Sequence, residues 1–336
     1  MKKTPLPKSV TIETTLRCNL RCVHCVSRLR RAEYNGDMTP ALLEKVRPLI
    51  EQAKEVSLDN QGEFFCNKDY LSIFRHARDS GAHTVITTNA VLLNDEIIDK
   101  VVFDGLTSLN FSIDGIDAET HEEFRVGSNF EKLISTIRKI CARKQSNGMK
   151  QPLIGINTVI RRGNIEQLPA IVELARELGA HSMNVFHIFV FDRKIEKECL
   201  YHHQELSDGF LREVREKNRG GSLELNLPGL FSEDAKHDGR RFRKCTFPRD
   251  SIIIGARGEV FACCDWRLIM GSLSEESFED IWNGRRYRQL RESVNSDNPH
   301  KICANCSYPH IMNVTNPASF FFWELPEYIN IHKSEK

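Results

Sequence analysis

Cys18-Asn19-Leu20-Arg21-Cys22-Val23-His24-Cys25 places three cysteines in a CxxxCxxC spacing directly after a β-type segment. A cubane 4Fe–4S cluster takes four thiolates, one for each iron. Three thiolates leave one iron without a protein ligand, and an open metal position can bind a substrate or cofactor directly. The alternatives for such a loop are a zinc site or a chance grouping of cysteines. The stretch therefore predicts an open iron–sulfur cluster in a loop at the end of a strand.

The composition is that of a globular protein without a strong net charge. The chain has 336 residues, with 47 basic and 46 acidic side chains and a net charge of +1. This balance gives no reason to expect binding to nucleic acid or to an anionic membrane. No apolar run approaches the about 18 residues of a membrane span, and residues 1–8 lack the apolar core of a signal peptide. The 11 cysteines, seven of them in two spaced sets, are typical of metal binding in a reducing cytoplasm.

Short segments rich in Val, Ile, Thr and Phe alternate with helical patterns along most of the chain. Six such units indicate parallel strands with right-handed crossovers, in an open sheet or in a barrel. In both architectures ligands bind at the carboxyl ends of the strands, where the cysteine loop lies. The predicted strands cover residues 10–14, 55–59, 84–88, 108–113, 154–160 and 183–190, and the predicted helices cover 40–53, 68–80, 95–102, 129–144 and 165–178.

The cysteine spacing resembles that of the radical S-adenosylmethionine (SAM) superfamily, and the likeness extends from residue 9 to residue 310. The resemblance implies a partial (β/α)6 TIM-like barrel and a 4Fe–4S cluster held by Cys18, Cys22 and Cys25. It also implies that the open iron binds the amino and carboxylate groups of SAM. Reductive cleavage of SAM then gives a 5′-deoxyadenosyl radical, which removes a hydrogen atom from an unactivated carbon.

Further motifs that resemble those of the same family follow the later strands. Gln61-Gly62-Glu63 resembles the GGE motif that meets the SAM amino group, with Gln61 in place of the first glycine. Ser112 and Arg125 are implied to hold the SAM carboxylate, because Arg pairs bidentately with carboxylates. The residues alone leave open a turn glycine beside a solvated Glu63, and a surface salt bridge of Arg125. The full set implied to bind SAM is His24, Gln61, Gly62, Glu63, Thr88, Asn89, Ser112, Asp114, Arg125 and Asn157.

A second set of cysteines resembles the opening of the SPASM region, a C-terminal extension of many radical SAM enzymes. The full SPASM pattern continues with more cysteines, but this chain has none after residue 306. Four ligands suffice for one closed auxiliary 4Fe–4S cluster, as in the shorter "twitch" form. The alternative is a four-cysteine zinc ribbon. The implied ligands are Cys245, Cys263, Cys303 and Cys306.

The two cysteine sets divide the chain into two predicted domains. Residues 1–235 form the radical SAM core, with a helical bridge from residue 191. Residues 236–336 form a small SPASM/twitch-like iron–sulfur domain and a C-terminal tail. In this domain, residues 251–262 predict a β-hairpin around a turn glycine. The aromatic residues at 320–323 are expected to close a core and not to bind a ligand.

The motifs specify the radical chemistry more closely than the substrate. Enzymes that resemble this chain oxidise or epimerise sugar-like alcohols, modify peptides or build cofactors, and the peptide modifiers often have an added N-terminal recognition domain. Because the chain begins almost at its first strand, we expect a small polar, sugar- or cyclitol-like substrate, with a peptide or protein as the alternative. The implied partner is a one-electron donor such as flavodoxin or ferredoxin. A non-catalytic iron–sulfur electron carrier is an alternative from another class, against which the SAM-binding motifs argue.

Two residues are candidates for the last step of the reaction. Cys264, next to Cys263, is a candidate hydrogen donor for an epimerisation, because a thiol gives up a hydrogen atom readily. Its alternatives are a packed cysteine or a further cluster ligand. Asp250 is a candidate base for an alcohol radical, with a salt bridge of the hairpin as the alternative. We favour oxidation over epimerisation, because the auxiliary cluster would accept the second electron.

Overall fold

One ten-stranded sheet forms the centre of the protein in the computed structural model, which describes residues 4–32, 34–234, 244–306 and 317–321. In chain order the strands are β1 (Ser9–Ile12), β2 (Glu55–Ser57), β3 (His83–Thr88), β4 (Ser108–Ser112), β5 (Leu153–Ile160), β6 (Ser182–His187), β7 (Glu224–Asn226), β8 (Ser251–Ile254), β9 (Glu259–Phe261) and β10 (Ile269–Ser272). Their spatial order is β10-β9-β8-β1-β2-β3-β4-β5-β6-β7.

Helices connect these strands. In chain order they are α1 (Ser27–Arg31), α2 (Pro40–Gln52), α3 (Tyr70–Asp79), α4 (Asp95–Phe103), α5 (Ala118–Phe124), α6 (Phe130–Ser146), α7 (Leu168–Glu177), α8 (Gln204–Lys217), α9 (Phe231–Asp234), α10 (Phe247–Asp250), α11 (Phe278–Trp282), α12 (Arg285–Ser293) and α13 (Lys301–Ala304). Short 3-10 turns cover Phe64–Cys66, Ile165–Gln167, Arg193–Glu198, Leu200–His202 and Pro317–Ser319.

The strands β1 to β6 are parallel and lie side by side in chain order, as the alternating pattern predicted. Every predicted strand and helix of this part is present, with ends that differ by three residues or fewer. The architecture is the predicted α/β partial (β/α)6 barrel with a C-terminal domain. The strand β7, which extends the sheet beyond β6, was not predicted, because three residues are too few for a period-two pattern.

The two faces of the parallel sheet differ in polarity. One face contains fully buried apolar side chains such as Val56, Leu109 and Ile156, which belong to the hydrophobic core. The alternate positions, among them Thr87 and Ser112, are polar and only partly buried. Because side chains alternate across a strand, this second face presents a polar surface inside the barrel, where a ligand can bind.

The C-terminal domain continues the same sheet. Strand β8 pairs in parallel with β1, with Ser9 level with Ser251 and Ile12 level with Ile254. The predicted hairpin is present as β8 and β9, and β10 was not predicted. The predicted boundary at 235/236 lies outside the described residues. Of the C-terminal aromatics, Phe320 and Phe321 are buried, and the other two lie outside the described residues.

A search of the described residues for a helix that is long and apolar enough to span a bilayer finds none.

Candidate active site

The cysteine loop, residues 18–25, leaves the carboxyl end of β1 and is held by main-chain hydrogen bonds. Arg21 N donates to Val126 O at 2.9 Å, and Val23 N donates to Phe124 O at 2.7 Å. The loop therefore lies against the segment in which α5 ends. None of the three loop cysteines is in a disulfide.

The three loop cysteines line one cavity of about 280 Å³. The cavity lies at the carboxyl ends of β1 to β4, the end at which βα folds bind ligands. Eight of the ten residues implied to bind SAM share its wall, and Asp114 and Asn157 do not. The eight are His24, Gln61, Gly62, Glu63, Thr88, Asn89, Ser112 and Arg125.

The surroundings of the three thiols fit cluster ligands. Cys18 Sγ accepts a hydrogen bond from Leu20 N at 3.4 Å, and Cys25 Sγ lies 3.7 Å from Nη2 of Arg31. Hydrogen bonds of this kind tune the sulfurs of iron–sulfur sites. Burial raises the pKa of the Cys22 thiol to about 11, so its thiolate form needs a bound cation. Within the described ranges no three His, Cys, Asp or Glu side chains converge on one metal ion, and a cubane does not require this because each iron takes one thiolate.

Gly62 permits a close main-chain contact behind the cavity. A Cβ at this position would lie 2.2 Å from Thr15 O and 3.0 Å from Arg17 O, well inside the contact distance. The middle residue of the GGE-like motif must therefore be glycine. Gln61, which stands in place of the first glycine, is accommodated by a hydrogen bond of 3.3 Å from Nη1 of Arg30 to its Oε1.

The Glu63 carboxylate is buried and accepts two hydrogen bonds. Thr88 Oγ1 donates to it at 2.7 Å and Asn89 N donates at 2.9 Å. Burial raises the pKa of Glu63 to about 7, although these hydrogen bonds act in the opposite direction. The alternative of a solvated Glu63 is therefore wrong. The Asn89 side chain donates to Asn19 Oδ1 at 2.9 Å, which joins the cavity wall to the cysteine loop.

Arg125 and Asp114 form a buried ion pair at the edge of the cavity. The Nε of Arg125 donates to Oδ2 of Asp114 at 2.6 Å. Desolvation by burial is the largest single effect and would raise the pKa of Asp114, but the charge of Arg125, the nearby His24 and the hydrogen bonds from Val159 N and Arg125 together outweigh it, so the pKa is lowered. His24 Nε2 lies 3.8 Å from the same carboxylate, and burial lowers the pKa of His24 to about 4. His121 Nδ1 accepts from Asp114 N at 3.2 Å and so braces the loop.

Asn157 belongs to a row of amides across three neighbouring strands. Asn184 donates to Asn157 at 2.9 Å and Asn226 donates to Asn184 at 3.1 Å. The register places Asn157 level with Ser112, whose side chain lines the cavity. The row is therefore a continuation of the polar inner face, and Asn157 is not part of the cavity wall itself.

The four auxiliary cysteines come from three segments of the C-terminal domain. Cys245 N donates to Asn295 Oδ1 at 2.8 Å, and Asn295 Nδ2 donates back to Cys245 O at 2.9 Å. Cys263 follows β9, and Cys245 and Cys263 both pack against the hydrophobic core. Cys303 is buried in α13, and Cys306 follows that helix. Their joint role as ligands of one cluster stays a prediction.

The structure does not bring Cys264 or Asp250 to the cavity. Strand β9 runs antiparallel to β8 with Phe261 level with Ile253, so the exposed Cys264 lies toward the amino end of β8. Asp250 directly precedes β8 and lies 3.7 Å from Nζ of Lys8. The cavity is at the carboxyl end of the parallel strands, and β8, which separates both residues from that end, is about 10 Å long at ~3.3 Å per residue. This placement argues against both expected roles, and Asp250 instead has the salt bridge that was its alternative.

A buried ion pair that the sequence analysis did not single out links the two domains. Nη1 of Arg30 donates to Oε1 of Glu13 at 2.7 Å, and its Nη2 lies 3.6 Å from Oε1 of Glu259. Glu13 also accepts from Ala256 N at 3.2 Å. Because Arg30 also bonds Gln61, the pair fixes the C-terminal hairpin against the cavity. Neither Arg30 nor Glu13 belongs to a recognisable sequence motif, so the sequence alone does not indicate that they form a buried ion pair.

Family models match both parts of the chain. The model of the Radical SAM superfamily matches residues 12–175, and that of an iron–sulfur cluster-binding domain, SPASM, matches residues 245–307. The first match implies a 4Fe–4S cluster and SAM as cofactors, and the second implies auxiliary iron–sulfur binding. The residues described above fit both groups.

Individual proteins similar to this chain agree with the family match. The AdoMet-dependent heme synthase of Methanosarcina barkeri is 27% identical over 336 residues, which cover 90% of this chain and 92% of that protein. The PqqA peptide cyclase of Xanthomonas campestris pv. campestris is 25% identical over 322 residues, covering 91% and 81%. The crystal structure of SuiB from Streptococcus suis superposes with a TM-score of 0.66 at 18% identity, over 85% of this chain and 68% of that one, and this likeness concerns the fold.

Proposed function

Because the chain belongs to the radical SAM superfamily and has a C-terminal SPASM domain, we propose that it modifies a peptide or protein by abstracting a hydrogen atom from carbon. When bound, the cluster and SAM supply a one-electron reductive cleavage that ends with methionine, 5′-deoxyadenosine and a substrate carbon radical. The chain holds the reactants for this step. In our proposal Cys18, Cys22 and Cys25 hold the cluster at the cavity, and Glu63 and Arg125 orient SAM beside it.

The single observation that supports a peptide substrate is the likeness to the PqqA peptide cyclases, which extends over 91% of this chain. The amide row of Asn157, Asn184 and Asn226 supports it further, because amide side chains can both donate to and accept from a peptide main chain. The sugar- or cyclitol-like substrate expected from the sequence gives way to this alternative, since the relatives reported above are named for a peptide and for heme.

A heme precursor is a second candidate substrate. It is favoured by one observation, the 27% identity to an AdoMet-dependent heme synthase over 90% of this chain and 92% of that protein. Both candidates use the same cavity and the same hydrogen abstraction, and they differ only in what the polar inner face of the barrel must hold.

We further propose that the reaction is an oxidation in which the auxiliary cluster accepts the second electron. Cys245, Cys263, Cys303 and Cys306 would hold this cluster, which would take up one electron while the substrate radical releases one proton, so that the product would lack two hydrogens. Cys264 lies at the far end of the hairpin from the cavity, which speaks against a hydrogen donor for epimerisation. An electron carrier without catalysis would have no use for Arg125 or Glu63 in the cavity wall.

The setting of the reaction follows from its chemistry. The first electron comes from a one-electron donor such as flavodoxin or ferredoxin. We propose that the protein works in the cytoplasm, because clustered cysteines that bind iron–sulfur groups are typical of a reducing compartment.

The proposal is tested with substrate pools from cells grown in deuterated medium. Reconstituted protein, dithionite and unlabelled SAM are incubated separately with the peptide, tetrapyrrole and carbohydrate fractions, and 5′-deoxyadenosine is analysed by mass spectrometry. Deuterium enters 5′-deoxyadenosine only from a carbon that donated the hydrogen. We expect labelling from the peptide fraction. Labelling from the tetrapyrrole fraction alone would support the second candidate, and labelling from the carbohydrate fraction alone would overturn the peptide proposal.

A further inference from the structure

A second cavity lies on the other side of the cysteine loop. It has a volume of about 440 Å³ and is formed between the loop and α1. Three arginines, Arg21, Arg28 and Arg31, share its wall with Cys18. Cys18 and Leu20 also line the SAM cavity, so these two residues separate the two cavities. A molecule in the second cavity is therefore close to the cluster position but separated from the SAM position.

Three arginines and no acidic side chain are among the described residues that line the second cavity. Arg21 and Arg28 are exposed, and neither has a carboxylate partner among the described residues. This distinguishes them from neighbouring arginines, since Arg17 pairs with Asp37 at 2.6 Å and Arg30 is held by a buried carboxylate. A chain with a net charge of +1 thus places beside a cluster ligand two arginines that have no carboxylate partner in the described ranges.

The third arginine connects the positive cavity to the cluster ligands. Nη1 of Arg31 donates to Leu20 O at 3.3 Å, and its Nη2 lies 3.7 Å from Sγ of Cys25. Arg31 is therefore fixed by the loop itself, whereas Arg21 and Arg28 remain available to a partner. An electron therefore has two routes from the second cavity to the position of the cluster. One is the contact of Arg31 with the sulfur of Cys25, and the other is the covalent side chain of Cys18.

Exposed apolar side chains flank the arginines. Leu29, which follows Arg28 in α1, is 45% exposed, and Val126, whose carbonyl bonds Arg21 N, is also 45% exposed. Large apolar side chains with this exposure are few in the described part of the chain, and two of them belong to residues that adjoin the lining arginines in the chain or through a main-chain hydrogen bond. Apolar contacts surrounded by charged groups are typical of protein–protein interfaces, and not of a site for a small inorganic anion.

We propose that this surface, formed by Arg21, Arg28, Leu29, Arg31 and Val126, is the docking site of a small acidic electron-carrier protein. The inference rests on the proposed radical function, which needs one electron per SAM cleaved. The carrier is oxidised by one electron and the cluster at Cys18, Cys22 and Cys25 is reduced by one, with no proton or group transferred. Opposite charges steer such a carrier to the cluster and leave the SAM cavity free for substrates.

The test uses the reconstituted holoenzyme and an acidic flavodoxin in its oxidised form, which binds but cannot transfer an electron. The variants are Arg21→Glu, Arg28→Glu and their combination, with Arg138→Glu as the matched control, since Arg138 is an exposed arginine of α6. Binding is measured by calorimetry at low and high salt. We expect the double variant to weaken binding at least about tenfold at low salt and to remove most of the salt dependence, and the control to bind like wild type.

A kinetic readout separates this inference from the proposed function. SAM cleavage is measured with reduced flavodoxin and with dithionite, and the ratio of the two rates is compared between proteins. We expect the ratio to fall about tenfold or more in the double variant and to be unchanged in the control. Equal ratios and equal affinities in all proteins would overturn the docking surface. Absence of dithionite-driven cleavage in wild type would instead refute the radical function.

Discussion

Arg125 and Asp114 are joined by a hydrogen bond of 2.6 Å between Nε and Oδ2, and both side chains are buried. Asp114 accepts a further hydrogen bond from Val159 N at 2.8 Å, so the carboxylate also ties β4 to β5. Only the Nε edge of the guanidinium is used in this pair. No hydrogen bond of the Nη groups to a described residue competes with the predicted bidentate contact of Arg125 with the SAM carboxylate in the cavity that it lines.

Replacement of Asp114 by asparagine is expected to destabilise the protein by about 3 kcal/mol, because it leaves the buried Arg125 charge without a partner. The control is Asp117→Ala, three residues away, which removes the cap of α5 and one hydrogen bond from Gln167 but no buried ion pair, and is expected to cost about 1 kcal/mol. The measurement is urea unfolding followed by circular dichroism. Equal losses in the two variants would contradict a buried ion pair of structural importance.

Replacement of Gly62 by alanine is expected to cost about 1–3 kcal/mol, because the added Cβ would lie 2.2 Å from Thr15 O and main-chain atoms cannot move aside cheaply. Gly209→Ala in α8 is the matched control. No atom lies within 4 Å of its added Cβ, and alanine favours a helix, so stability should be equal or slightly higher. The comparison of melting temperatures tests this. A Gly62 variant that melts with wild type would show that the contact relaxes freely.

Combined replacement of Cys18, Cys22 and Cys25 by alanine is expected to abolish SAM cleavage while leaving the fold intact, because the three residues line a cavity. Wild type should bind about eight irons, four in each cluster, and the variant about four. Iron analysis and the yield of 5′-deoxyadenosine measure the two effects. Undiminished SAM cleavage would exclude this loop as the radical site, and stoichiometric zinc in the variant would show that the C-terminal set is a zinc site.

The affinity for SAM is expected to rise between about pH 6 and pH 8, because a carboxylate is needed to accept an N–H of the SAM amino group. Burial raises the pKa of Glu63 from 4.5, the value for the unfolded chain, to about 7 in the folded protein. Protonated Glu63 therefore contributes its full stabilisation of the folded state only below the pKa of the unfolded chain. That contribution is lost as pH rises through about 7, where Glu63 becomes charged and able to bind SAM. Equilibrium dialysis at several pH values measures the slope. Glu63→Gln should remove it, and an identical slope in the variant would assign it to another group.

Replacement of Cys264 by alanine is expected to change neither iron content nor turnover by more than about twofold, because the residue follows β9 and lies toward the amino end of β8, away from the cavity. Cys303→Ala should lower the iron content to about half and stall the reaction after hydrogen abstraction. The opposite result, a hydrogen-donor role of Cys264, is tested by running the reaction in heavy water and analysing the product. Solvent deuterium at a product carbon, lost in the Cys264 variant, would establish epimerisation in place of oxidation.

Most of the cavity could be predicted from the sequence because each motif directly follows a strand. Parallel strands in chain order bring their carboxyl ends together, so Gly62, Asn89 and Ser112 had to meet near the cysteine loop. Asn157 is the exception, because it lies on β5, one strand beyond the last strand whose end lines the cavity. Whether a polar side chain on the inner face reaches the cavity wall depends on the depth of the barrel, which no local pattern reports.

The sequence by itself determined the order of the strands and helices and the identity of the radical loop, because both depend on residues close together in the chain. Only the tertiary structure decided that β8 pairs with β1, and that Arg30 is buried between Glu13 and Glu259. It also decided that Cys264 and Asp250 lie at the end of the sheet away from the cavity. The physical reason is that strand register and buried charge pairs depend on contacts between residues that are more than two hundred positions apart, and the free energy of such contacts is set by the packing of the whole sheet.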